Sequence, residues 1–131
     1  MWLFLTSEDA IRICEQERGD ADLEDYNLLD SAIARPQNYV AYTESEPDIC
    51  VAAAHLLYGL AANHAFKDGN KRVALRATGV FLMLNGFELV GEDNDVYSLA
   101  MDVADEQVYI DVPQIAERLR TMIIELELPE E

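Results

Sequence analysis

The stretch His64-Ala-Phe-Lys-Asp-Gly-Asn-Lys-Arg72 decides both the fold and the function of this chain. It holds a base, a carboxylate, a Gly-Asn pair typical of turns, and two adjacent cations. It also contains both lysines of the chain, Lys67 and Lys71. A long apolar segment precedes it and another follows. The pattern therefore predicts a loop between two buried helices, and the loop carries the functional groups.

The flanking segments predict the two central helices of a mainly α-helical domain. Residues from Pro47 to about Asn63 are apolar nearly all round, which is typical of a helix buried at the centre of a bundle. Lys71 to Asn85 predicts the next helix, with Asn85-Gly86 as its C-terminal cap. His55 lies within the first of these segments and is interpreted as a hydrogen-bonded core residue.

Four further helices follow from capping residues and the helical spacing of apolar residues. Their expected ranges are Ser7 to Arg18, Tyr26 to Ala34, Asp95 to Ala104, and Asp111 to Leu126. From Pro36 to Asp48 the residues are polar with a short alternation, which predicts a hairpin or flap before the central helix, with a plain loop as the alternative. Phe87–Val90 is expected to be extended. We expect a compact bundle of about six helices in a single domain, residues 1–131.

The net charge of −17 limits the classes of partner. Phosphate backbones and anionic membranes both attract clustered Lys and Arg, so we expect no direct nucleic-acid binding and no membrane association. The sequence has no uncharged apolar span of membrane length and no basic leader, which favours a cytoplasmic protein. Cys14 and Cys50 lie in apolar helical patterns and are expected to be buried thiols.

The Gly-Asn turn followed by a helix predicts an anion-binding nest. Gly69 can adopt backbone conformations that other residues avoid, and the first N–H groups of the helix beginning near Asn70 have no intrahelical partner. Lys71 and Arg72 add full positive charges at the rim. Because the protein is otherwise so acidic, this is the one place where we expect a phosphate group to bind.

A carboxylate and a base lie next to this nest. Asp68 is placed to hold Mg²⁺ beside bound phosphates. His64 is the base in reach of a hydroxyl proton, and Phe66 is expected to anchor the loop in the core. These groups together indicate phosphoryl or nucleotidyl transfer. The alternative is an ordinary helix-helix loop with a capping Asn and solvated charges.

The stretch also resembles the signature of the Fic/Doc superfamily, His-x-Phe-x-Asp/Glu-Gly/Ala-Asn-x-Arg. Each fixed position is matched, by His64, Phe66, Asp68, Gly69, Asn70 and Arg72. Leu28–Pro36 and Leu56–His64 are further similar to the Doc (death-on-curing) branch. The resemblance covers nearly the whole chain and implies the helical Fic/Doc fold.

One position separates the branches of the superfamily. Typical Fic adenylyltransferases have glycine where this chain has Lys71, and a second arginine where it has Leu75, with Arg76 one residue later. Both departures resemble Doc. The resemblance implies a kinase toxin that transfers the γ-phosphate of ATP to a Thr or Ser hydroxyl of a translation protein such as elongation factor Tu. Transfer of AMP, and a non-catalytic module that binds an antitoxin, are the alternatives.

The resemblance also implies roles for individual residues. The implied catalytic residues are His64, Asp68 and Lys71; the implied ATP-binding residues are Gly69, Asn70, Lys71, Arg72 and Arg76, with Asp68 as the Mg²⁺ ligand. Arg76 is equally well interpreted as an exposed helix residue. The flap, Arg35 to Thr43, is implied to align the target by strand addition.

Control by a separate protein is implied as well. Doc toxins are neutralised by a Phd-type antitoxin, whereas some Fic proteins carry their own inhibitory helix, Ser/Thr-x-x-x-Glu-Gly/Asn. Thr121 and Glu125 match part of that motif, but Leu126 follows where Gly or Asn is needed. We therefore assign Thr121 and Glu125 to an ordinary final helix and expect a Phd-like antitoxin as partner.

Overall fold

A computed structural model describes residues 1–127 as a helical bundle with a small two-stranded sheet. Its elements are α1 (Ser7–Arg18), α2 (Tyr26–Tyr42), α3 (Ile49–Ala62), α4 (Asn70–Leu84), β1 (Phe87–Leu89), α5 (Asp93–Ala104), α6 (Val112–Arg120) and β2 (Ile123–Glu125). The prediction of a mainly α-helical bundle of about six helices is confirmed. Within residues 1–127, no helix is both long enough and apolar enough to cross a membrane.

Helix α3 is the centre of the bundle and contacts α2, α4, α5 and α6. Nine of its 14 residues are buried, most of them Ala or Leu. Small residues let the neighbouring helices approach closely, most of all at Gly59. A Cβ atom there would lie 2.9 Å from the Cα of Ala32 and 2.9 Å from the Cδ of Arg35. Helices α2 and α3 therefore pack at a distance that only glycine permits at position 59.

The predicted end of α2 at Ala34 and the predicted flap from Pro36 to Asp48 are wrong, because α2 continues through Pro36 to Tyr42. Pro36 lacks the N–H that would bond to the preceding turn, at a cost of about 3 kcal/mol. However, Pro36 is itself buried at helical spacing after Leu29 and Ile33. Burial of this apolar stripe, at about 1.5–3 kcal/mol for each large side chain, offsets the cost. Residues 43–48 alone connect α2 to α3.

Helix α6 is also shorter than expected, ending at Arg120 rather than near Leu126. Residues 123–125 instead form β2, which pairs antiparallel with β1 in the register Phe87↔Glu125 and Leu89↔Ile123. Thr121 is the C-cap of α6 and Glu125 lies in β2, so their assignment to a final helix is wrong. The expected extended segment after α4 is confirmed as β1. Two consecutive β-branched residues, Ile123 and Ile124, favour the strand.

Candidate active site

The loop between α3 and α4 is fastened to the connection between α1 and α2. His64 turns the chain with a positive φ of 53°, and Phe66 then enters the core with 2% exposure, confirming its predicted role as the loop's anchor. The N–H groups of Glu24 and Asp25 donate to the carbonyl of Ala65 at 2.9 and 3.1 Å. The backbone of the loop is therefore held from outside as well as by its own turns.

Asn70 closes the loop from within. Its side-chain oxygen accepts a hydrogen bond from the Phe66 N–H at 3.1 Å, and its amide nitrogen donates to the Phe66 carbonyl at 2.8 Å. Both polar ends of the buried Asn70 side chain are thereby occupied. What remains for a ligand at this position is the backbone N–H at the start of α4.

The N-terminus of α4 has the form of an anion site. Gly69 is the N-cap in the left-handed region, with φ 81°, and no side chain caps the helix. Asp68 accepts the N–H of Gly69 at 2.7 Å, while the first helical bond joins the Val73 N–H to the Gly69 carbonyl at 2.9 Å. The N–H groups of the first three helical residues thus have no intrahelical acceptor, and they carry the positive end of the helix dipole.

A cavity of about 420 Å³ opens over this helix end. It is lined by Arg18, Ala61, His64, Lys67, Asp68, Gly69, Asn70, Lys71, Arg72, Tyr97 and Ala104. All of the sequence-predicted site residues except Arg76 therefore meet in one place. Four cations face a single carboxylate there, although the chain as a whole carries a charge of −17.

Arg76 lies in a second, adjoining cavity of about 540 Å³, which shares Arg72 and Tyr97 with the first. Its Nε is 3.7 Å from Oε1 of Glu17 on α1. The structure thus places Arg76 beside the predicted phosphate nest rather than in it.

Among the polar residues that line the cavity from outside the loop and α4, sequence reasoning missed Arg18 at the end of α1 and Tyr97 on α5. Nη1 of Arg18 is 3.5 Å from Oδ2 of Asp68. No local motif marks either residue, since an arginine before a helix-ending glycine is a common terminal cation. Only the packing of α1 and α5 against α4 brings them to the loop.

The donor set of the cavity fits a divalent cation that is shared with phosphate. Asp68 is its one carboxylate, and residues 1–127 contain no group of three or more His, Cys, Asp or Glu side chains that could hold a metal by themselves. Mg²⁺ is commonly bound by one or two carboxylates, waters and the phosphates of a substrate. A cation held by Asp68 and a nucleotide together suits this arrangement.

His55 lies outside the cavity, and the hydrogen bond predicted for it is present, although the side chain is half-buried rather than fully in the core. Nη2 of Arg35 donates to its Nδ1 at 3.2 Å, and its ring stacks on Tyr39 at a centroid distance of 5.3 Å. Burial lowers the pKa of His55 from its ordinary value, and the Arg35 guanidinium lowers it further. Because arginine can only donate, Nδ1 must accept, so His55 is neutral in this structure.

Comparison with known proteins relates the chain to a single family. The Fic/DOC family model matches residues 4–82. Toxin Doc from Mycolicibacterium smegmatis is 46% identical over 74 residues, which cover 56% of this chain and 57% of that protein. Protein kinase doc from Escherichia phage P1 is 32% identical over 100 residues, 76% of each chain.

The aligned region thus spans little more than half of the M. smegmatis protein's length. Both relatives carry the name Doc, which confirms the resemblance to that branch. The family match includes the loop between α3 and α4 with its cavity-lining residues. Since residues 4–82 are more than half of the sequence, this chain belongs to the Fic/DOC family.

Proposed function

We propose that the chain is a Doc-type kinase toxin, which transfers the γ-phosphate of ATP to a Thr or Ser hydroxyl of a translation protein. Elongation factor Tu is the first candidate target, and growth arrest is the consequence. The observation that carries the proposal is the cavity in which His64, Asp68, Lys71 and Arg72 surround the uncapped N-terminus of α4.

The phosphate end of the nucleotide would lie on the α4 N-terminus. Lys71 and Arg72 make no ion pair with any residue in the range 1–127, so both charges are available to phosphate oxygens. At position 71, a lysine brings a side chain and a charge where a glycine would leave space against the backbone. The relative named protein kinase doc supports a terminal phosphoryl transfer over AMP transfer.

His64 would act as the general base. It is exposed at the mouth of the loop, where the hydroxyl of a target protein can reach it. As the hydroxyl oxygen bonds to the γ-phosphorus, the bond from that phosphorus to the β–γ bridging oxygen breaks and ADP leaves. His64 takes the hydroxyl proton, and Lys71, Arg72 and the backbone N–H groups stabilise the charge on the phosphates. Asp68 would hold Mg²⁺, which neutralises phosphate charge when bound.

The proposal includes a Phd-like antitoxin and a cytoplasmic site of action. The relative named toxin Doc supports a toxin paired with an antitoxin. Target alignment by a strand at Arg35 to Thr43 is not part of the proposal, because Arg35 through Tyr42 are helical. The connection at residues 43–48 is separated from the active-site loop by the length of α3, 14 residues or about 21 Å.

Transfer from labelled ATP tests the proposal. The purified chain is incubated with elongation factor Tu and ATP labelled on either the α- or the γ-phosphate, and the modified residue is mapped. We expect label from the γ position only, on a Thr or Ser, and none with His64→Ala. Label from the α position alone would replace the kinase by an AMP transferase. Equal growth arrest by wild type, His64→Ala and Lys71→Ala would instead favour a non-catalytic module.

A further inference from the structure

Arg18 reaches the active-site loop from helix α1, outside the family signature. Its guanidinium lies 3.5 Å from the carboxylate of Asp68, and its side chain is 27% exposed whereas that of Asp68 is 78% exposed. The Arg18 side chain is therefore less exposed to solvent than the Asp68 side chain with which it pairs. Arg18 also lines the cavity together with Lys71 and Arg72.

The stem of Arg18 lies in close contact with the loop. A Cβ atom at Gly69 would lie 2.7 Å from Cδ of Arg18, so the arginine crosses directly over the N-cap of α4. Its own backbone is held as well, because α1 ends at Gly19 in the left-handed region, with the Gly19 N–H bonded to the Glu15 carbonyl at 2.6 Å. The stem of Arg18 thus lies against the N-cap of α4, and its guanidinium lies beside Asp68 in the cavity.

We propose that Arg18 is a phosphate-contacting residue of this cavity, which pairs with Asp68 as observed here and turns to the nucleotide's phosphates when a divalent cation takes that carboxylate. The inference rests on the proposed function, since it assumes that a nucleotide and a cation share the cavity.

The chemistry of the pair supports an exchange rather than a permanent bridge. A separation of 3.5 Å between a partly exposed arginine and an open carboxylate is a weak interaction. A cation bound to Asp68 would cancel the charge that holds Arg18, while phosphate oxygens offer the planar guanidinium a bidentate partner. In the proposed exchange only the terminal guanidinium turns, and the stem stays over Gly69.

Nucleotide binding tests this assignment separately from phosphate transfer. The dissociation constants of ATP and of adenosine are measured for the wild type and for Arg18→Gln, with Mg²⁺ and with EDTA. We expect Arg18→Gln to weaken ATP binding about tenfold with Mg²⁺, to weaken it less with EDTA, and to leave adenosine binding unchanged. Arg18→Lys should keep only part of the ATP affinity, because it retains the charge without the fork.

The control is Arg12→Gln, which makes the same charge change on the exposed face of the same helix, outside both cavities. It should bind ATP like the wild type. Asp68→Asn removes the charge that pairs with Arg18, so Arg18 is free to contact phosphate even in EDTA. In EDTA, adding Arg18→Gln should therefore weaken ATP binding more in the Asp68→Asn background than in the wild-type background.

Each of the following results would overturn the inference. Unchanged ATP binding by Arg18→Gln would overturn it alone and leave the proposed function standing. Equal losses for ATP and adenosine would make Arg18 a structural residue. Equal penalties with and without Mg²⁺ would exclude the exchange. A wild type that binds no ATP would overturn both the inference and the proposed function.

Discussion

The side-chain amide of Asn70 forms two hydrogen bonds with the backbone of Phe66, one to its N–H and one to its carbonyl. This closed pair ties the first residue of α4 to the residue that anchors the loop in the core. The family signature thus contains, in its Asn, a residue that shapes the loop from inside while its neighbours line the cavity.

Replacing Asn70 should therefore destabilise the protein as well as disable the site. Asn70→Ala leaves the Phe66 N–H and carbonyl unpaired, and both bonds are buried. We expect the free energy of unfolding in urea to fall by about 2–4 kcal/mol. Asn38→Ala, on the exposed surface of α2, serves as the control and should change it little. Equal stability of Asn70→Ala and wild type would mean that the loop does not depend on this amide.

The close approach of α2 and α3 gives a second prediction, with its control in the next helix. Gly59→Ala would place a methyl group 2.9 Å from the Cα of Ala32, so we expect a loss of about 1–3 kcal/mol in unfolding free energy. Gly79→Ala, in α4, meets nothing within 4 Å and should gain about 0.5–1 kcal/mol from helix propensity. A stability of Gly59→Ala at or above that of Gly79→Ala would contradict the packing described for α2 and α3.

His55 makes the stability of the fold depend on pH. Its pKa in the folded protein lies below the ordinary 6.5, so the unfolded chain binds a proton more readily. The contribution of neutral His55 to the free energy of unfolding is therefore fully present above pH 6.5. It is lost as the pH falls from 6.5 towards the pKa of His55 in the folded protein. His55→Gln cannot take up that proton, so its unfolding free energy should fall less than that of the wild type between pH 7.5 and 5. Parallel curves for the two proteins would contradict the neutral state of His55.

The two lysines should differ in their effect on phosphate transfer. Both line the cavity, but Nζ of Lys67 is 4.0 Å from Oδ2 of Asp22, whereas Lys71 has no carboxylate partner within residues 1–127. We expect Lys71→Ala to lower kcat about 100-fold or more, as expected for a charge that acts on the transferred phosphate, and Lys67→Ala to cost much less. Initial rates with γ-labelled ATP and unchanged melting temperatures would establish the difference. A greater loss for Lys67→Ala would reverse the assignment.

The central loop could be predicted from sequence because its signals are local. Capping residues, a turn-forming pair and the apolar runs on either side lie within a few residues of one another, and they fixed the ends of α3 and α4 to within two residues. The predicted end of α2 was too early because proline usually ends a helix. The burial of Pro36 against α3, which keeps the helix going, becomes visible only in the packed structure.

The features that sequence reasoning missed depend on residues far apart in the chain. Helix α6 ends before its predicted end because the residues that follow it form β2, which pairs with β1 more than 30 residues away. Arg18 reaches the cavity because α1 packs against α4, and it pairs there with Asp68, 50 residues later in the chain. Neither pairing leaves a local or periodic pattern in the sequence, so both become visible only once the elements are packed together.

The length of α3 has a practical consequence for studying the protein. The connection at residues 43–48 lies at the opposite end of this helix from the cavity, and Ser45 within it is exposed. Both natural thiols, Cys14 and Cys50, are buried. A cysteine introduced at Ser45 would therefore be a selective attachment point for a dye or a solid support, separated from the cavity by the length of α3, about 21 Å.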